Sequence, residues 1–89
     1  MGIKKMRRLL QKAKDAPGGW SRLDLIELYE TFGFEIVAGT KHDLAKHADL
    51  PVGVKATITR STGDIHPDYV RTAVDLIEIV LKAKEAKNG

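Results

Sequence analysis

Residues 33–47 decide the fold, and they read GFEIVAGTKHDLAKH. A glycine is followed by an aromatic and β-branched run over 34–38, a polar turn over 39–41 and a second short run over 42–47. This pattern predicts the end of a helix, a strand, a tight turn and a second strand. The turn leads into His42, so an imidazole and neighbouring positive charge are expected at a strand end.

Two helices are predicted before this stretch. Apolar residues recur at helical spacing over 3–14, which indicates an amphipathic helix, and a cluster rich in proline and glycine over 15–19 ends it. Ser21 is a typical N-cap, and Asp24 completes a shortened capping box. The second helix then reaches Gly33, which stands where a left-handed C-terminal cap is expected.

A third strand and a last helix are predicted after it. Residues 54–60 alternate so that Ala56 and Ile58 share one face, which indicates a strand with one buried side. His66 precedes Pro67 as a cap, and the helix is expected to run to about residue 84. That helix is apolar on two sides, so either the N-terminal helix or another protein should cover the second side.

The order α-α-β-β-β-α predicts an α+β fold in which helices back one face of a three-stranded antiparallel sheet. The other face is expected to be open and polar. This arrangement is similar to the double-stranded-RNA-binding domain with an extra N-terminal helix. We expect a single domain over 1–89, with its core over about 21–84 and a basic helix over 3–14.

Size and composition narrow the class of protein. The 89 residues suffice for one domain, and 43% hydrophobic with 30% charged residues is typical of a folded globular chain. Cysteine is absent, which excludes disulfides and thiolate zinc sites. No apolar run approaches the roughly 20 residues of a membrane span, and the N-terminus does not resemble a secretory signal. We therefore expect a cytoplasmic protein that does not bind membranes.

Positive charge is unevenly distributed along the chain, whose net charge is +3. Six basic residues precede the first acid, Asp15, and acids concentrate in 24–35 and in the last helix. A second basic cluster comprises Lys41, Lys46, Lys55 and Arg60. Such segregation suits a polyanionic partner, although a solvated basic helix face would explain the first cluster equally well.

His42 is the strongest candidate for chemistry. An imidazole of ordinary pKa can take or give a proton near neutral pH, as RNA cleavage by the 2′-hydroxyl requires. Lys41, and Lys46 and Arg60 if they lie close, would stabilise charge that develops on the phosphate. The alternative is a surface histidine without a role.

We expect neither a metal nor another cofactor. The odd offset between His42 and His47 places their rings on opposite faces of a regular strand, and together with Asp43 and Asp49 they match no common zinc spacing. His66 is more simply explained as a helix cap.

The residues around His42 resemble the HicA family of RNA-cleaving bacterial toxins. The resemblance covers roughly residues 21–79 and rests on four motifs. These are Gly33-Phe34-Glu35, Gly39-Thr40-Lys41-His42 with His47, Thr57-Ile58-Thr59-Arg60, and His66-Pro67-Asp68-Tyr69-Val70-Arg71. The chain departs from the family pattern at Lys41, where serine is common, and at Ala48, where proline usually follows the second histidine.

The resemblance implies a double-stranded-RNA-binding-like fold and an endoribonuclease that cleaves mRNA, with His42 as the catalytic residue. It also implies a HicB-like antitoxin protein that covers the site, and operator DNA bound by the toxin–antitoxin pair. On this interpretation the RNA is held by Lys41, Lys46, Lys55, Arg60 and His47.

Two other interpretations stay open. The chain could be a noncatalytic RNA- or DNA-binding module of the same fold, in which basic residues bind phosphates and His42 does not matter. It could instead be a protein-interaction domain that docks a partner through Leu76 and Ile79 on the last helix.

Overall fold

A computed structural model describes residues 3–60 and 62–88. Within them lie three helices and three strands, in the predicted order: α1 Ile3–Asp15, α2 Arg22–Thr31, β1 Glu35–Val37, β2 His42–Lys46, β3 Ala56–Thr59 and α3 Pro67–Asn88. The α+β class is therefore confirmed.

Both ends of α2 form as their sequence predicts. The Ser21 hydroxyl accepts the Asp24 amide at 3.2 Å, and the Asp24 carboxylate accepts the Ser21 amide at 3.0 Å, so the capping box is complete. At the other end Gly33 has a φ of +82°, a left-handed conformation that side chains other than glycine adopt with strain. These two ends fix where the chain enters β1.

The three strands form an antiparallel meander in the order β1-β2-β3. Ala56 and Ile58 are buried on the face that α2 and α3 cover, as their alternation predicts. All three strands are shorter than expected, because β1 ends at Val37, β2 at Lys46 and β3 at Thr59, and because β1 and β3 also begin later than predicted. Phe34 turns into the core and donates its amide to Tyr29, and Val54 donates its amide to Pro51 in a turn.

The N-terminal helix packs on the side of α3 that carries Val74, Glu78 and Leu81, so it does not cover the second apolar side around Ile79. α1 contacts α3 and α2 and buries Leu10 and Ala13, while Lys14 pairs with Glu78 at 3.3 Å. On that second side Leu76 is buried within the core whereas Ile79 is 39% exposed, so Leu76 does not belong to the predicted docking surface. The protein-interaction hypothesis loses one of its two residues.

α3 extends beyond the predicted end near residue 84 and reaches Asn88. Its last turns consist of good helix formers, and no helix breaker occurs before Gly89. None of the helices in the described parts of the chain has both the length and the hydrophobicity needed to cross a membrane.

The buried face of β3 should dominate the stability of the sheet. Ile58 is fully buried, so Ile58→Ala should lower the free energy of unfolding by about 2–5 kcal/mol through lost burial and a cavity. Thr57, its neighbour on the exposed face, is the matched control, and Thr57→Ala should cost less than about 1 kcal/mol. Urea unfolding measures both, and equal costs would contradict the assigned faces.

Candidate functional site

His42 is exposed at the first position of β2, on the open face of the sheet. It lies opposite Thr59 of β3, and no described side chain hydrogen-bonds to its ring. The preceding turn holds it closely, because a Cβ added at Gly39 would collide with the carbonyl oxygen of His42. The imidazole is therefore presented to solvent by a tight backbone turn, with the exposed Lys41 before it.

Lys46 and Lys55 lie at the other end of the same face. The pairing of Ala45 with Ala56 brings these two exposed lysines next to each other. Lys46 is the fourth residue after His42 in β2, so their Cα atoms lie about 13 Å apart. The two lysines therefore form a separate basic position on the open face and do not flank the imidazole of His42.

Asp43 is buried at 2% exposure on the opposite face of β2, directly after His42. Its carboxylate forms ion pairs with two arginines. Arg22 Nη2 donates to one oxygen, and Arg60 donates to the other from Nε at 3.2 Å and from Nη2 at 2.9 Å. The ion pairs join the start of α2, the first half of β2 and the end of β3.

The two guanidiniums keep Asp43 ionised. The Arg22 hydrogen bond holds the pKa of Asp43 below its ordinary value, the Arg60 hydrogen bond acts in the same direction, and burial opposes them.

Arg60 does not share the face of His42. Because it donates to Asp43, its side chain reaches toward the buried side of β2. The clamp of Lys46 and Arg60 around His42, which the sequence suggested, is not assembled in this geometry.

His47 is packed into the structure. Its side chain is 10% exposed, its ring meets the ring of Phe34 edge-on with 5.0 Å between centroids, and its Nδ1 accepts the Asp49 amide at 2.9 Å. The ring also lies below Gly33, 3.5 Å from the position a Cβ would take there. These contacts hold the α2–β1 connection, and the buried ring of His47 does not reach the open face that His42 occupies.

The other histidines and carboxylates considered from the sequence do not come together in one site. His66 caps α3, since its Nδ1 accepts the Asp68 amide at 3.1 Å. His42 and His47 lie apart, as the odd spacing predicts. Among residues 3–60 and 62–88, no three histidine or carboxylate groups are placed to hold a metal ion.

The sequence did not predict the buried ion pair of Asp43 with Arg22. A signal for Asp43 exists, because the alternation in β2 puts its side chain on the same face as the buried Ala45. A charged residue at an inward position requires a buried partner. The partners are 21 and 17 residues away in the chain, so spacing does not identify them.

The tight turn before His42 should not tolerate a side chain at Gly39. Gly39→Ala forces the backbone to shift, and we expect a loss of about 1–3 kcal/mol in the free energy of unfolding together with displacement of His42. Gly18→Ala is the control, since nothing lies within 4 Å of a Cβ there. Urea unfolding and the amide NMR shifts of residues 39–43 measure the effect. A Gly39→Ala protein that matches the control would contradict this turn.

Asp43 should make stability depend on pH. Because its pKa is lowered in the folded state, its contribution is present above the ordinary value of 3.8 and is lost as the pH falls through the folded value. Asp43→Asn should therefore lower the melting temperature at pH 7, and the difference from wild type should shrink in acid. Asp75→Asn, on an exposed position of α3, should leave the profile unchanged. A difference in melting temperature between wild type and Asp43→Asn that is the same at every pH would contradict the ion pairs.

Comparison with protein-family models, with curated proteins and with solved structures gives no match. The function must therefore be argued from the residues and their geometry.

Proposed function

We propose that this protein is a HicA-like endoribonuclease that binds single-stranded regions of mRNA across the open face of its sheet and cleaves them at His42. The observation that carries the proposal is the exposed imidazole at the corner of a face that also presents Lys41, Lys46 and Lys55. Glu35, opposite Lys46, is the acid that the three described strands contribute to this face.

RNA cleavage by the 2′-oxygen requires a base and positive charge near the phosphate. His42 takes the proton of a ribose 2′-hydroxyl, the 2′-oxygen attacks the adjacent phosphorus, and the bond to the 5′-oxygen breaks. The leaving oxygen takes a proton from the imidazolium or from water, which leaves a 2′,3′-cyclic phosphate and a 5′-hydroxyl. Lys41 stabilises the charge that develops on the phosphate oxygens.

The rest of the open face would guide the strand. Lys46 and Lys55 bind a phosphate about 13 Å from His42. Between the two ends, the partly buried Val37 and Leu44 lie opposite each other across β1 and β2 and offer apolar surface to ribose or base. The face is thus basic at both ends and apolar between them.

Two parts of the proposal rest on the sequence resemblance. One is the finer fold assignment, a double-stranded-RNA-binding-like domain. The other is regulation, in which a HicB-type antitoxin covers His42 and the pair binds operator DNA. The order of elements and the open sheet are consistent with the first.

The test is cleavage of mRNA by purified wild type and His42→Ala. Loss of the base should lower the cleavage rate by about 10²–10⁴-fold, and the wild-type products should carry 2′,3′-cyclic phosphate ends. His66→Ala is the matched control, since it removes an exposed imidazole that caps α3. Induced expression should arrest growth for wild type and the control only. Equal cleavage by His42→Ala would overturn the assignment.

A noncatalytic RNA-binding module is the second candidate. The observation in its favour is that, among the described residues, no second imidazole or carboxylate is placed beside His42 to serve as the partner acid. On this hypothesis wild type binds RNA and leaves it intact, and His42→Ala binds equally well.

Both candidates predict that lysines on the open face bind RNA. Lys46→Ala with Lys55→Ala should weaken binding and lower the slope of log K against log salt by about 0.7, because the two lysines contact one phosphate and each phosphate contact with a single strand contributes about 0.7. Lys82→Ala with Lys84→Ala removes the same charge from α3 and is the control. Fluorescence anisotropy at several salt concentrations measures the slopes. Equal slopes for both double variants would remove the open face from consideration.

A further inference from the structure

A small cavity lies between the start of α2 and the segment that follows β3. Its volume is about 350 Å³. We call it the arginine pocket, and the residues that line it are Ser21, Arg22, Leu23, Arg60, Thr62 and Gly63. No carboxylate is among these described lining residues, although the floor of the pocket is connected to Asp43 through both arginines.

The two guanidiniums have more donors than Asp43 can use. Each carries five N–H groups, and the carboxylate of Asp43 accepts one from Arg22 and two from Arg60. Arg22 Nε is buried and has no hydrogen-bond partner in the described part of the chain. Two positive charges against one negative leave the group with a net charge of +1, which favours the binding of an anion.

Asp43 also holds the two arginines in place without covering them. The side chains of Arg22 and Arg60 keep 32% and 44% of their surface exposed, whereas that of Asp43 keeps 3%. A guanidinium fixed by a buried carboxylate has already lost its rotamer freedom, so little further entropy is lost when an anion binds. Asp43 is therefore a positioning residue for the pocket.

The pocket lies at the same end of the sheet as His42. Asp43 follows His42 in β2, and Arg60 follows Thr59, the residue paired with His42. An RNA strand that passes His42 on the open face of the sheet and continues over the end of the sheet would reach the arginine pocket next. Planar guanidiniums bind phosphate oxygens through paired hydrogen bonds, which makes a phosphate group the ligand that this donor set fits best.

We propose that the arginine pocket binds one backbone phosphate of the RNA strand whose neighbouring nucleotides lie at His42. This inference rests on the proposed function for the identity of the strand, and on the pocket's own geometry for the phosphate. The pocket would fix the position of the strand relative to His42 without touching the reacting atoms.

Inorganic phosphate is the first probe, titrated at constant ionic strength against sodium chloride. Amide NMR shifts of Arg22, Leu23, Thr62 and Gly63 should change saturably with phosphate and not with chloride. Leu23→Asp places a carboxylate at the pocket from a position that is 70% exposed, and Leu23 is not itself a partner of Asp43. It should weaken phosphate binding at least about tenfold.

The control is Val52→Asp, which adds the same charge at a fully exposed loop position away from the pocket. It should bind phosphate like the wild type, and melting curves of both variants check that each is folded. The same amide shift changes with phosphate and with chloride would overturn the proposed pocket. Equal phosphate affinities of Leu23→Asp and Val52→Asp would also overturn it.

The second arm uses single-stranded RNA and the His42→Ala protein, so that the RNA stays intact. Adding Leu23→Asp should weaken RNA binding several-fold and reduce the salt slope by about 0.7, one phosphate contact, while adding Val52→Asp should not. Phosphate binding with unchanged RNA affinity would overturn the assignment to an RNA strand. Failure of the proposed cleavage looks different, because it would leave both binding arms as described.

Discussion

The structure depends on one buried carboxylate and the two arginines that hold it. Asp43 is the polar residue among the largest fully buried side chains of the described chain, and the alternative to its ion pairs would be an uncompensated charge between sheet and helices. Replacing such a group with a well-packed apolar one often costs little stability, so burial does not by itself explain the ion pairs. Their more specific effect is geometric. A shift of β2 by one residue would expose Asp43 and bury His42 and Lys46, because alternate strand residues face opposite sides. The ion pairs therefore fix which residues of β2 reach the open face.

This constraint explains why neighbouring residues serve different purposes. His42 and Asp43 are adjacent in sequence, yet one faces solvent on the open sheet and the other is buried under α2. The same holds for Thr59 and Arg60 at the end of β3, since Thr59 pairs with His42 while Arg60 reaches Asp43. The end of the sheet thus carries an imidazole on one side and a guanidinium pair on the other. A nucleic-acid strand can contact both only by crossing the sheet end.

Local sequence patterns predicted the helices and strands. The partners of Asp43 could not be predicted, because they are distant in the chain. The capping box at Ser21, the left-handed Gly33 and the alternation in β3 each depend on residues within a few positions, and all three formed. The alternation of strand residues also accounts for the opposite placement of His42 and His47, which the odd spacing predicted. Placing Arg60 near His42 from charge alone ignored that alternation, which turns Arg60 to the other side of its strand. Arg22 carried no signal at all, because a first-turn arginine in a helix is ordinary unless its distant partner is known.

The basic residues lie on separate surfaces of the molecule. The basic residues of α1 belong to the helical side, because α1 packs on α2 and α3. Lys41, Lys46 and Lys55 belong to the open face of the sheet. An RNA strand bound along the open face, as proposed, would therefore not touch α1 unless it passed around an edge, and the charge on α1 would add to binding mainly by long-range attraction. That attraction is screened within about 8–10 Å at physiological salt, whereas direct phosphate contacts at the sheet persist. The lysines of the open face, and not the more numerous basic residues of α1, should therefore determine how a bound strand is placed relative to His42.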